Sequence, residues 1–137
     1  MLSRVAETLY WMSRYIERAE NIARVVTVNT NLQLDLPRGV APDWKPLIDV
    51  IGANALFEKK HRKYGERQVV RFLLGDRESP SSVRSCIQNA RESCRTVRDI
   101  LPREAWQYLT ELHLHIDENL TTGVTRRCRY GFLGRII

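Results

Sequence analysis

Apolar residues recur at steps of three and four along the first part of the chain, which is the spacing of one face of an α-helix. The run begins after Ser3, a residue type that often caps a helix N-terminus, and extends to about Asp35. Pro37 and Pro42 then interrupt it, because proline cannot continue a helix. The pattern predicts an N-terminal helix of roughly 45 Å at 1.5 Å per residue. Its apolar face comprises Val5, Leu9, Met12, Ile16, Ala19, Ala23 and Val26.

Two shorter helical patterns follow. The first begins at Asp43, a candidate N-cap, and fades near residue 60. The second covers residues 66–75, and Gly75 is a plausible C-terminal stop because glycine tolerates the backbone that ends helices. The apolar face of the first comprises Trp44, Leu47, Ile48, Ile51, Ala55 and Leu56.

The later part of the chain predicts two more helices. Residues 76–82 form a turn, in which Ser79 is a candidate N-cap and Pro80 fits the first helical position. The helix that follows has the apolar face Val83, Cys86, Ile87, Ala90, Cys94, Val97 and Leu101. Pro102 separates it from a last helix that carries Ala105, Trp106, Leu109, Leu112 and Ile116, and residues 119–123 read as a break.

No stretch shows the alternation of a β-strand, so the sequence predicts an all-α fold. Residues 124–137 begin with helical character, which Gly131 and Gly134 interrupt. We expect a single domain over residues 1–137, built as a bundle of about five helices with a long N-terminal helix.

The composition also indicates where the protein is located and how its charge is distributed. No apolar run approaches the roughly 20 residues of a membrane span, and no secretion signal is recognisable, so we expect a cytoplasmic protein. Cys86 and Cys94 lie about 12 Å apart along one predicted helix, too far for a disulfide, and Cys128 is left over. Of the net charge of +6, residues 119–137 supply +4 from arginines alone. Such a basic tail is weak evidence for nucleic-acid binding.

The long helix carries a polar face at its centre. Arg14, Glu17, Arg18, Asn21 and Arg24 share this face, with Glu17 within reach of Arg14 and Asn21. One interpretation is an exposed ladder of ion pairs, each worth only about 0.3–0.5 kcal/mol.

The other interpretation is a sheltered site between helices. Arg18 would hold an anion or a neighbouring carboxylate, and Glu17 would orient it or act as a base. Tyr15 borders this site, and Glu20 lies beside it within reach of Arg24.

Other candidate sites are weaker. His113 and His115 point to opposite sides of a helix and cannot chelate one ion together, so we predict no metal and no cofactor. A stripe of arginines on the helix after residue 82 is either a solvated face or a phosphate contact. The turn at residues 76–82 is either a capped loop or an anion site. The stripe comprises Arg84, Arg91, Arg95 and Arg98.

Two segments carry a resemblance to a known family. The opening MLSRVAETLYWMSRYIERAENIARVV, with its run from Arg14 to Asn21, resembles the start of the bacterial Alpha-E family. The segment VVRFLLGDRESPSSVRSCIQNARESCRTVRDILPREAWQYL is similar to the middle region of that family. The resemblance implies an α-helical protein in which Glu17 and Arg18 form the Glu-Arg motif, with Arg14, Glu20 and Asn21 as neighbours. It gives none of them a catalytic role.

The resemblance also implies partners. Alpha-E proteins accompany ATP-grasp ligase-like and transglutaminase-like proteins, which suggests a binding or scaffold component of a peptide synthesis or modification system. They are about twice as long as this chain, so we expect an N-terminal half whose first helix could be completed by a second copy. The alternatives are an enzyme subunit that uses the Glu17–Arg18 pair on an anionic substrate, and a nucleic-acid-binding bundle.

Overall fold

A computed structural model describes residues 2–35, 37 and 43–123 of the chain. These residues form six α-helices and no strand, which confirms the all-α fold with a long N-terminal helix. None of these helices is both long and apolar enough to cross a bilayer. The predicted segment 124–137 and Cys128 lie outside the described residues. The helices are α1 (Leu2–Asp35), α2 (Lys45–Ile51), α3 (Asn54–Lys60), α4 (Glu66–Gly75), α5 (Val83–Thr96) and α6 (Arg103–Gly123).

Helix α1 packs mainly along α5. Its predicted apolar face points into the bundle, where Ala19, Ala23 and Val26 are buried and the four residues before them are half-buried. The small alanine side chains suit this close packing of two helices. The helix begins at Leu2, so Ser3 lies inside the first turn and is not the N-cap that the sequence suggested.

The single helix predicted after Asp43 is in fact two helices, α2 and α3. Gly52 ends α2 with a φ of 67°, a left-handed backbone that only glycine adopts without strain. The N–H of Gly52 donates to the carbonyl oxygen of Asp49 at 3.1 Å, which closes the last turn. The N-cap of α2 is Trp44 and not the predicted Asp43, although the Asp43 carboxylate accepts from the N–H of Lys45 at 3.1 Å.

Helix α4 ends at Gly75, as predicted, but the start of α5 differs from the prediction. The N-cap is Ser82, whose side-chain oxygen accepts from the N–H of Ser85 at 3.1 Å. Ser79 and Pro80 therefore belong to the preceding turn, in which the N–H of Ser82 donates to the carbonyl of Ser79. The sequence offered three serines in this turn, and only the one that aligns with the free N–H groups caps the helix.

The last described helix is longer than predicted. Helix α5 ends at Thr96, and after the turn at Pro102 helix α6 continues through Gly123 without the break expected at residues 119–123. Leu120 packs against the main core, and the Asn119 side chain donates to the carbonyl oxygen of His115 at 3.0 Å. Burial of Leu120 therefore keeps this polar turn helical, because tertiary packing outweighs weak local propensity.

Two hydrophobic clusters hold the helices together. The larger joins α1 to α5 and also takes in Phe57, which is fully buried and stacks on Tyr64 with ring centroids 4.6 Å apart. The smaller consists of Ala90, Cys94 and Leu109, with neighbouring side chains packed around it. Both α1 and α2 pack on α4, but they do not pack closely on each other. That arrangement leaves a groove between α1 and α2.

Candidate functional site: the groove between the first two helices

The groove has a polar half on α1 and an apolar half on α2. Its volume is about 560 Å³. Four of the residues singled out from the sequence line it, namely Arg14, Glu17, Arg18 and Asn21, because steps of three and four place them on one side of the helix. The apolar lining comes from Ile22 and Val25 of α1, Pro46, Leu47, Val50 and Ile51 of α2, and Leu73 of α4. The groove therefore suits an amphipathic ligand, whose polar part would contact the polar half and whose apolar part would contact the apolar half.

Glu17 and Arg14 form the predicted ion pair at the rim of the groove. Arg14 Nη1 lies 3.7 Å from Glu17 Oε2, and the two side chains are 50% and 61% exposed. A pair this long and this open to water contributes only a few tenths of a kcal/mol. The exposed-ladder interpretation is therefore right for Glu17, and Arg14 can exchange this partner for another at little cost.

Arg18 differs from its neighbours. It is half-buried, and its guanidinium makes no hydrogen bond or ion pair with any residue that the structure describes. Its charge reaches inward to Cys86: burial raises the pKa of that thiol to about 11, and the nearby Arg18 charge opposes part of the rise. An arginine that is half-buried and has no ion pair favours the arrival of a carboxylate or phosphate.

Two of the six predicted site residues lie elsewhere. Glu20 forms its own pair with Arg24, with Oε1 to Nη2 at 2.7 Å. Tyr15 is half-buried, packs between the two core clusters, and has its ring 6.2 Å from that of Trp11. Neither residue lines the groove.

The second wall of the groove, on α2, is largely unpredictable from the sequence. Val50 is 86% exposed, which is unusual for a valine next to a core helix, and Pro46 and Ile51 lie beside it. Sequence periodicity marked Ile51 as a core residue, but it could not show that α2 would stop short of α1. The apolar residue at Val50, outside the predicted apolar face, was the one available signal.

The arginine stripe of α5 is largely occupied by contacts within the chain. Arg91 and Arg98 each place a guanidinium over the ring of Trp106, 4.8 and 5.0 Å from its centre. Arg84 pairs with Asp117 of α6 at 2.9 Å. The fourth arginine pairs within α5. Two of these contacts join α5 to α6, and the third joins Arg98, in the turn after α5, to α6, so they favour a structural role over a phosphate contact.

Most polar groups of the turn at residues 76–82 are bonded within the chain, although Asp76 Oδ2 is buried without a hydrogen-bond partner among the described residues. Asp76 Oδ1 accepts from the N–H of Glu78 at 3.0 Å and from Lys60 Nζ at 2.8 Å. The Ser82 hydroxyl donates to the carbonyl oxygen of Asp76 at 2.6 Å. These contacts favour the capped-loop interpretation over an anion site.

The two histidines of α6 have separate surroundings. His113 Nε2 lies 3.2 Å from Asp117 Oδ2, whereas His115 is buried with its ring nitrogen 3.3 Å from the Asn119 amide. Over residues 2–35, 37 and 43–123, no three side chains of His, Cys, Asp or Glu come together as metal ligands.

The fold and the groove define an all-α bundle domain with a Glu-Arg pair on its longest helix. The chain belongs to the Alpha-E family, described as a predicted alpha-helical domain with a conserved ER motif, which matches residues 1–137. The chain contains Glu-Arg at positions 17–18 and again at 66–67, and only the first pair lines the groove. Comparison with curated proteins and with solved structures found no match.

Proposed function

We propose that this chain is a binding component of a bacterial system that synthesises or modifies peptides, and that the groove between α1 and α2 holds its partner. The observation that carries the proposal is the half-buried Arg18, which has no partner among the described residues at the junction of the polar and apolar linings. Such a cation gains more from an anionic partner than an exposed one does, because it is already partly desolvated.

The exposure of Glu17 favours binding over catalysis. A general base is usually sheltered from water and aimed at a reacting group, whereas Glu17 is 61% exposed and turned to Arg14. Among the described residues that line the groove there is no second carboxylate, and the one hydroxyl, that of Ser81, has no histidine in the lining to act as its base. We therefore place the chemistry of the system in other proteins.

The partners we propose are ATP-grasp ligase-like and transglutaminase-like proteins, on the strength of the Alpha-E resemblance. A cytoplasmic location suits them, because ATP-grasp ligases consume ATP, and it also suits the buried free thiols of Cys86 and Cys94. Sequencing the gene beyond codon 137 and its neighbours is the first step. An ATP-grasp gene alongside would supply the partner for the assay, and a second Glu-Arg helix in the same reading frame would complete the groove from within the protein.

The test is a binding measurement between the purified chain and the neighbouring ATP-grasp ligase-like protein. We expect Arg18→Gln to weaken binding about tenfold or more, because a charge-assisted contact is worth about 1.5–3 kcal/mol. Arg95→Gln is the matched control, since Arg95 is an exposed arginine of α5 remote from the groove lining. Absence of binding by the unmodified chain, or equal loss in both variants, contradicts the proposal.

A further inference from the structure

Helix α1 carries a second periodic face that its own bundle leaves uncovered. This second stripe consists of Trp11, Arg14, Arg18, Asn21, Val25, Val28 and Leu32. Its four apolar members are between 44% and 59% exposed. The stripe spans roughly 32 Å at 1.5 Å per residue, twice the reach of a small ligand.

The spacing of the second stripe is that of a helix-binding seam. Its members alternate steps of three and four from residue 11 to residue 32, which is the 3.5-residue repeat of helices that pack lengthwise on one another. The buried face of α1 has the same repeat and is covered by α5. Val50 of α2, 86% exposed, widens the apolar part of the stripe beside Val25. An exposed apolar seam of this regularity marks a protein contact.

The charge at the centre of the stripe selects the kind of partner. Arg14 and Arg18 lie one turn apart, and Glu17 pairs only loosely with Arg14. Arg18 has no ion pair among the described residues. A second copy of the chain would set these arginines against their own counterparts or against valines, which is unfavourable at an interface. Carboxylates on the partner would instead meet both cations.

We propose that the second stripe binds an amphipathic helix of a partner protein, with two carboxylates one turn apart opposite Arg14 and Arg18 and apolar residues at heptad spacing on either side. This inference rests on the proposed binding function and adds the chemistry of the partner surface. The apolar ends supply buried area, and the central charges fix the register of the helix.

A designed peptide tests the inference directly. The probe is a labelled 21-residue helix with Leu at its heptad positions and two central Glu one turn apart, titrated with the full chain and followed by fluorescence anisotropy. We expect it to bind at least about tenfold tighter than the same peptide with Lys at both positions, because like charges at an interface cost several kcal/mol. Equal binding of the two peptides, or of neither, overturns the inference.

Charge reversal on the protein supplies the second arm. The double variant R14E/R18E should prefer the Lys peptide, whereas R95E, on α5, should keep the preference of the parent chain. Val28→Lys should weaken the Glu peptide about tenfold, and Ile100→Lys, an equally exposed site in the turn after α5, should not. Circular dichroism confirms that each variant folds. A dimer that sedimentation detects for the parent chain and that Val28→Lys abolishes would mean that a second copy occupies the stripe. That result overturns the inference.

The two proposals fail separately. Binding of the Glu peptide with no binding of the ATP-grasp ligase-like protein leaves the inference standing and removes that partner. Binding of that protein that is weakened by Arg18→Gln but unaffected by Val28→Lys leaves the proposed function standing and removes the helix-binding stripe.

Discussion

The buried thiol behind the groove gives a prediction about stability at high pH. Cys86 is fully buried, and its Sγ lies 3.6 Å from the carbonyl oxygen of Pro80, to which the thiol donates. Burial raises the pKa of the thiol from 9.0 to about 11, against the opposing charge of Arg18. Deprotonation would place a thiolate in the core and remove its hydrogen bond to Pro80.

Whether stability rises or falls with pH follows from the pKa of Cys86 in the unfolded and in the folded chain. Below about pH 9 the thiol is neutral in both the folded and the unfolded chain, so its titration does not change the free energy of unfolding there. Between about pH 9 and 11 the unfolded chain loses this proton first, so stability falls as the pH rises. Two pKa units correspond to a loss of about 3 kcal/mol in full, of which about 2 kcal/mol is reached by pH 11. That is a large part of the 5–15 kcal/mol typical of a small domain.

Urea unfolding of the parent chain and of Cys86→Ala, at intervals from pH 7 to 11, measures this loss. We expect the parent chain to lose stability more steeply above pH 9, by up to about 1.4 kcal/mol per pH unit for one proton. Tyr64 and Lys60, whose pKa values are also raised, titrate in both proteins, so their contributions cancel in the difference. Arg18→Gln should leave the onset near pH 9 unchanged but make the loss larger and extend it to higher pH, because removing the charge that favours the thiolate raises the pKa of Cys86 in the folded chain only. Parallel curves for the parent chain and Cys86→Ala would refute the reasoning.

Two further predictions concern the backbone. Gly52→Ala should cost about 1 kcal/mol of unfolding free energy, because a φ of 67° strains any residue with a side chain, although no atom lies within 4 Å of the added Cβ. Gly52→Asn should cost less, because asparagine tolerates this backbone better than alanine. Equal stability of the parent chain and both variants in urea contradicts this prediction. Ser82→Ala should cost about 1 kcal/mol by removing the N-cap of α5 and the hydrogen bond to Asp76, whereas Ser93→Ala within α5 should cost nothing. Thermal unfolding compares them, and an unchanged midpoint for Ser82→Ala argues against the cap.

Much of the fold could be predicted because long amphipathic patterns leave little choice. The extent of α1 to Asp35, the end of α4 at Gly75 and the division at Pro102 follow from periodicity and from helix-breaking residues. The errors in the predicted helix boundaries occurred where contacts with other parts of the fold determine whether a helix ends or continues. Gly52 could be a tolerated helix residue or a break, and its positive φ became the end of α2. The turn after Asn119 looked too polar for a helix, yet Leu120 reaches the core.

The candidate site was predictable to the extent that one helix contains it. Spacing along α1 placed Arg14, Glu17, Arg18, Asn21 and Arg24 on one face; the first four line the groove, whereas Arg24 pairs with Glu20 outside it. The same reasoning placed Glu20 and Tyr15 beside them, but neither lines the groove. A helical wheel cannot show which residues of α1 the neighbouring helix buries. The apolar wall on α2 depends on the packing of α2 against α4, which no local pattern encodes.

The polarity of the second stripe explains why one face of α1 is buried in the bundle and the other is not. Both faces repeat every 3.5 residues, so periodicity alone assigns either one to the core. The buried face has small or apolar residues through its centre, such as Ala19 and Ala23, and α5 packs on it without burying a charge. The second stripe has Arg14 and Arg18 at its centre, and covering them with an apolar helix would leave two cations without water or counterion. A helix that supplies carboxylates removes that penalty, which is why the stripe suits an acidic partner and not the core of its own bundle.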